Sequence, residues 1–286
     1  MKNDLKFNSA CQTGELIAFD GTRLFRRSYK PAGSARAVIL SIHGLAEHSG
    51  RYEHVAEFLT GAGYIFEIFD LRGHGYSAGA RAYINSFEDY VRDLDSMLAV
   101  VQHDYANQPI FLFGHSLGGT IAVLYVLVRR PQLAGLILSA PELKISASIS
   151  PFLLKLAPLI GKLFPKLPTV VLDKNAISRD LTVVQKYDED PLNYRKGIPA
   201  RTGAELNRII AEIQSQMEKL DLPLLILHGM VDNLADIRGS QMLFEQARSV
   251  DKTFRKYPEF YHEILNDPEK LRVLTDIRDW LNDHCK

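Results

Sequence analysis

The chain has 286 residues, 46% of them apolar, with 34 basic and 34 acidic side chains and a pI of about 7.1. That length and apolar content bury a full core and exclude a disordered chain, while balanced charge leaves no electrostatic footprint for nucleic acid. The two cysteines, Cys11 and Cys285, lie at opposite ends and form neither a disulfide framework nor a Cys-x-x-Cys metal or redox pair.

The opening residues 1–6 lack the apolar core of a signal peptide, and no run reaches the roughly 18 uninterrupted apolar residues of a membrane span. The expectation is a cytoplasmic protein. No fixed-period repeat or low-complexity tract suggests a solenoid.

In chain order, two β-rich runs at 15–19 and 22–29 flank Asp20-Gly21, a two-residue hairpin signal, so the chain opens with an antiparallel edge. Near-continuous apolar runs follow at 37–42, 64–69, 109–113, 133–139 and 223–228, with a more polar strand at 253–257. Such runs are what parallel strands buried on both faces look like. Helical patterns alternate with them at 52–60, 87–105, 117–129, 240–247 and 268–281. The alternation predicts an α/β protein with a mostly parallel, eight-stranded, doubly wound sheet and an antiparallel N-terminal hairpin.

About eighty residues separate the strand ending near Ala140 from the one beginning at Pro223, too many for a simple crossover. The first part, 145–171, is rich in Leu, Ile and Phe, with Lys155, Lys162 and Lys166 as its only charges. It reads as an inserted helical cap at 143–205, over the carboxyl edge where ligands bind in open α/β sheets, splitting the core into 1–142 and 206–286. Two readings of its apolar residues stand together: packing on the core, and contact with a membrane or micelle surface.

Gly114-His115-Ser116-Leu117-Gly118-Gly119 joins the strand at 109–113 to an apolar helix and reads as a nucleophile elbow. A sharp strand-to-helix turn exposes the serine Oγ above the sheet, and glycines two before and two after it allow close backbone approach. Gly75-Tyr76-Ser77-Ala78-Gly79 fits the same pattern. Its preceding strand ends several residues earlier and the next helix starts only near Asn85-Ser86, so Ser77 falls in a loop. Gly73-x-Gly75 likewise lacks the third glycine and the helix that a dinucleotide site requires.

A serine hydroxyl needs a base, and the base needs a carboxylate to orient it, in the order Ser, Asp or Glu, His for this topology. Asp232 lies just past the strand at 223–228 and His262 just past the strand at 253–257, which brings both to the carboxyl edge with Ser116. Asp236 falls where the chain enters a helix and suits a cap. His43, His48, His74 and His115 lie at the same edge but precede or adjoin Ser116, and His228 suits packing at a strand end. For the oxyanion, one donor is the N–H of Leu117 at the positive end of its helix. The other is the N–H of Leu45, in the loop after the strand at 37–42.

His43-Gly44 with Glu47-His48-Ser49-Gly50-Arg51-Tyr52, Asp70-x-Arg72-Gly73-His74-Gly75, the Ser116 elbow, Ser178-Arg179-Asp180, Asp190-Pro191-Leu192, Gly229-x-x-Asp232 and Tyr261-His262-Glu263 together resemble the monoglyceride lipase and lysophospholipase branch of the α/β-hydrolases. The resemblance spans about residues 19–281. It implies an α/β-hydrolase fold with Ser116 as nucleophile, His262 as base, Asp232 as its orienter, and Leu45 and Leu117 as oxyanion amides. It further implies that Glu47, Arg51 and His115 line the alcohol end of a lipid-like ester site; a structural salt bridge between Glu47 and Arg51 is the other reading. No metal or organic cofactor is implied. Three departures stand out: Leu117 in place of a methionine, Ala46 in place of a frequent glycine, and Glu259-Phe260 in place of small residues, which brings Phe260 toward the leaving group. Other acyl chemistry on this framework (carboxylesterase, thioesterase, aminopeptidase or acyltransferase) and a non-catalytic binding protein are the alternatives.

Overall fold

The structure is a computed structural model that describes residues 11–146 and 149–285; the opening segment 1–6 lies outside the described residues. Its eight strands are β1 (Cys11–Ile17), β2 (Arg23–Tyr29), β3 (Ala37–Ile42), β4 (Tyr64–Phe69), β5 (Ile110–His115), β6 (Gly135–Ser139), β7 (Leu224–Gly229) and β8 (Lys252–Tyr257). They form one sheet in the order β1-β2-β4-β3-β5-β6-β7-β8. The β1·β2 and β2·β4 pairs are antiparallel and all others parallel.

Every residue of β3 to β7 is buried, as their uninterrupted apolar sequences require. Alternate residues serve opposite faces. Val38, Leu40 and Ile42 of β3 join a core roofed by α2 (Phe87–Asp104), α3 (Leu117–Arg129), α6 (Ala200–Gln214) and α7 (Ile237–Gln246). Ala37 and Ile39 join a second core closed by α1 (Glu53–Gly61) and α8 (Lys270–His284). The period of two thus builds a three-layer sandwich. Edge strand β8 carries lysine and arginine on its exposed positions, which discourages pairing with another chain.

The first turn departs from expectation. Ala18 N–H donates to the Thr22 carbonyl (2.8 Å) and the Gly21 N–H returns to Ala18, so the loop is Phe19-Asp20-Gly21 rather than two residues. Gly21 takes φ 83°, the left-handed residue that closes a three-residue hairpin. Ser86 and Asp89 form a reciprocal capping box that starts α2.

Between β6 and β7 lie α4 (Pro151–Leu163), a 3-10 turn (Lys174–Ala176), α5 (Leu181–Glu189), α6 and a second 3-10 turn (Met217–Lys219). Helix α4 crosses α6 closely enough that a side chain at Gly161 would press on Ala204 and the Ala200 carbonyl. The chain around Thr169 pairs with Ile198 through two backbone hydrogen bonds of 2.9 and 2.8 Å, closing the insertion on itself. The boundary read at 205 falls inside α6.

Candidate active site

Ser116 stands between β5 and α3 with φ 51° and ψ −119°, a backbone that L-residues avoid at a cost of about 1–3 kcal/mol. The surroundings enforce it. Its N–H donates to the Ser139 carbonyl (3.0 Å), and its carbonyl accepts from Thr120 and Glu142 N–H groups (3.1 and 3.2 Å). A Cβ at Gly114 would collide with the Gly118 carbonyl, and one at Gly118 with the Ile42 carbonyl, so glycine is the residue these crossings allow.

The β7 and β8 loops bring Asp232 and His262 to this point. His262 Nε2 lies 2.9 Å from Ser116 Oγ, and His262 Nδ1 lies 2.7 Å from Asp232 Oδ2. Asp232 Oδ1 accepts the N–H groups of Leu234 and Ala235 (2.8 and 2.9 Å). Because Nδ1–H donates to the carboxylate, Nε2 is left to accept the serine proton. Burial disfavours charge on both partners, but each outweighs that for the other: Asp232 is held well below the usual carboxylate range, and His262 is raised above the ordinary imidazole value.

His228 does more than pack at the end of β7. Its Nε2 lies 3.1 Å from Asp232 Oδ2 and its Nδ1 2.8 Å from Ser240 Oγ, so a second imidazole steadies the same carboxylate. The sequence offered no distinguishing signal for this beyond its spacing of four residues before Asp232. Asp236 instead caps α7, accepting the Arg238 N–H at 2.9 Å.

Leu117 is the first residue of α3, and Leu45 precedes Ala46, which holds φ 67°. Both leucines line the cavity beside Ser116, and among the described residues neither backbone N–H has an acceptor. Two unengaged donors at the elbow, one at a helix N-terminus, suit a developing oxyanion. Two groups of the inserted segment grip the Leu45 loop: the Tyr194 N–H (3.0 Å) and Tyr187 hydroxyl (3.2 Å) both donate to the Ala46 carbonyl.

Glu47 is buried and fully engaged. Its Oε1 accepts from Gly44 N–H (2.6 Å) and Tyr52 hydroxyl (2.8 Å), and its Oε2 from Arg51 (2.9 Å). Burial works against its charge, but Arg51 above all brings the carboxyl down to about 2. Arg51 is also held in a fork by Glu263 (2.6 and 2.7 Å) over the Tyr187 ring, and it stands behind the cavity wall rather than in it. His115 lines the cavity, with Nδ1 3.0 Å from the Ser139 carbonyl; burial, then His262, pushes it down to about 4, so it is a neutral polar group. In the sequence Glu263 figures only as part of the Tyr261-His262-Glu263 motif, with no role of its own, and Tyr187 is not singled out.

Ser77 lies in the expected loop and is committed to structure, donating to the Asp70 carbonyl (2.5 Å) and accepting the Phe25 N–H (2.9 Å). His43 bridges Gly44 and Leu71 backbone groups. Phe260 does not crowd the leaving group: it is buried against Tyr257, ring centres 5.0 Å apart, and takes no part in the cavity.

The cavity above Ser116 encloses about 1270 Å³ including its open mouth. Glu47, His115 and Glu263 make one polar side near Ser116, while Ile149, Leu153, Leu154, Ala157, Ile160 and Leu206 make an apolar arm along α4; Glu142, Ser146, Thr169 and Lys174 are further polar members of the lining.

This sheet, elbow and cavity define a hydrolase of the α/β-hydrolase fold. Residues 33–269 match the family described as serine aminopeptidase, S33. The chain is 34% identical to a monoacylglycerol lipase of Mycolicibacterium smegmatis over 264 residues, covering 92% of this chain and 94% of that protein. It is 36% identical to the human monoglyceride lipase over 270 residues, covering 93% and 89%. The crystal structure of a monoacylglycerol lipase from Paleococcus ferrophilus superposes with a TM-score of 0.84 at 33% identity, covering 91% of this chain and 99% of that one. The chain therefore belongs to the serine aminopeptidase S33 family of α/β-hydrolases, in the branch that contains the monoglyceride lipases. It is a serine ester hydrolase.

Proposed function

We propose that the protein cleaves the ester of a monoacylglycerol or lysophospholipid through an acyl-enzyme on Ser116. Attack by Ser116 Oγ sends its proton to His262 Nε2, while Asp232 stabilises the imidazolium that forms. The Leu45 and Leu117 N–H groups receive the oxyanion. His262 then protonates the departing alcohol, and water repeats the sequence to free the fatty acid.

The observation that carries this reading is the cavity's lining, polar groups beside Ser116 and apolar side chains along α4, which suits a small hydroxylated head group joined to an acyl chain. Glu47 and His115 face the head group, with Arg51 fixing Glu47 from behind. The segment 143–205 acts as a cap whose α4 roofs the acyl arm. The outer side of α4 exposes Phe152 and Leu163, with Phe164 just beyond, among Lys155, Lys162 and Lys166, which suits transient contact with a membrane or micelle. Among the described residues no helix is long and apolar enough to cross a membrane.

The test is covalent labelling. Ser116→Ala loses reaction with a fluorophosphonate probe and turnover of monoacylglycerol, whereas folded Ser77→Ala retains both at reduced thermal stability, since two buried hydrogen bonds are lost. Labelling of Ser116→Ala, or prolyl amides hydrolysed faster than glycerol monoesters, overturns the assignment.

A further inference from the structure

One half-buried acid in the cavity has no part in the chemistry above. Glu142 follows β6 and is locked beside the elbow through its backbone: its N–H donates to the Ser116 carbonyl (3.2 Å), and its carbonyl accepts from Thr120 Oγ1 (2.7 Å). Its side chain lines the cavity together with Ser116, Leu117 and His262. Ile145 and Ile149, which follow it, line the same cavity with Leu154 and Leu234, so Glu142 sits in the wall next to both the elbow and the apolar residues. Among the described residues no hydrogen-bond donor or acceptor meets the carboxyl, although the acids Glu47, Asp232 and Glu263 beside the site are all paired.

We infer that Glu142 is a specificity-determining residue that selects acyl groups bearing a hydroxyl close to the ester carbonyl. The inference rests on the reading of Ser116 as nucleophile and of the apolar arm as the acyl site. A cavity-lining carboxyl with no protein partner is desolvated with nothing in exchange once an acyl chain fills the cavity. A plain methylene chain leaves it so, whereas an acyl hydroxyl satisfies it by donating to or accepting from the carboxyl group. Burial pushes Glu142 up to about 8; His262 opposes this, and Asp232 and Asp236 reinforce it. The protonated form that this favours can donate as well as accept. From a residue whose backbone touches that of Ser116, a side chain of this length reaches roughly the first four carbons of the acyl chain. Sites built to hydrogen-bond a substrate hydroxyl discriminate strongly against the analogue that lacks it, because the protein group is then left unpaired.

The experiment compares kcat/KM for 3-hydroxydecanoyl glycerol and decanoyl glycerol in the wild type, Glu142→Leu and Glu142→Gln. The wild type favours the hydroxylated ester by about tenfold or more. Glu142→Leu reverses the order and gains rate on decanoyl glycerol, while Glu142→Gln, whose amide still hydrogen-bonds, keeps the wild-type preference. Equal or inverted preference in the wild type overturns the proposal, as does a preference that survives in Glu142→Leu. The fluorophosphonate labelling rate is measured on all three proteins. Labelling at Ser116 without the predicted preference sinks the role of Glu142 alone, whereas absence of Ser116 labelling in the wild type sinks the underlying mechanism.

Discussion

Two imidazoles share the Asp232 carboxylate, and this determines how His262 titrates. The carboxylate, kept ionised by His262 and His228 against the cost of burial, favours the imidazolium, so the folded-state pKa of His262 lies above the ordinary value of about 6.5. In the proposed mechanism His262 accepts the serine proton only when neutral. Consequently kcat/KM is expected to rise with pH through an inflection above 6.5, the limb belonging to His262 in the free enzyme. Asp232→Asn removes the charge that raises this pKa, so its inflection moves to lower pH and kcat falls by roughly 10⁴-fold. A wild-type inflection at or below 6, measured with a soluble ester, contradicts the coupling. Ser116, Asp232 and His262 were legible in sequence because each follows a strand of one parallel sheet, and chain order then fixes a common edge. The bond from His228 was not legible: it depends on how residues 229–235 curl back, which alternation of apolar residues does not encode. Glu142 was equally hidden, since a single glutamate after a strand looks like any solvated loop residue until the insertion covers it.

At the scale of elements, the loop from β3 to α1 is shaped by acids and backbone together. Glu47 holds Gly44, Tyr52 and Arg51 at once, and Tyr187 and Tyr194 hold the Ala46 carbonyl from the inserted segment. Glu47→Ala leaves an arginine facing only Glu263 and two donors without acceptors. Breaking a buried pair of this kind costs about 3–5 kcal/mol, read as a lowered denaturant midpoint, while Glu47→Gln, which keeps an acceptor for Gly44, costs less. Equal loss from both substitutions would argue against the charge being what holds the loop. Tyr187→Phe makes a finer test. Removing one of two donors to Ala46 lets the Leu45 N–H drift, so kcat drops by about five- to thirtyfold with KM nearly unchanged. The elements themselves followed from pattern: buried apolar runs gave β3 to β7, and Ser86 gave the start of α2. The inserted region was harder. Among the described residues of the apolar stretch only 151–163 are helical, Pro158 notwithstanding, and α6 serves both the insertion and the core, so no composition change marks a boundary at 205.

The whole molecule divides its apolar surface unevenly. Both faces of the sheet are closed by helices, yet α4 remains apolar on two sides: Leu153, Leu154, Ala157 and Ile160 point into the cavity, while Phe152, Leu159 and Leu163 point outward at 71, 56 and 59% exposure. A helix covering only its own core would need the first set alone. The outer set continues through Phe164 and Leu167, and the lysines interspersed with it would sit at an anionic lipid surface while the apolar side chains enter the acyl boundary. With the proposed membrane contact, substrate partitioned in a bilayer would reach the cavity directly beneath α4. The paired variant Phe152→Glu/Phe164→Glu is therefore expected to hydrolyse a water-soluble short-chain ester at the wild-type rate. On monoacylglycerol held in anionic vesicles it should lose at least tenfold in rate and sediment less with the vesicles, each buried aromatic contributing about 1.5–3 kcal/mol to the contact. Equal loss on both substrates would place the effect in folding or in the cavity rather than at the lipid surface.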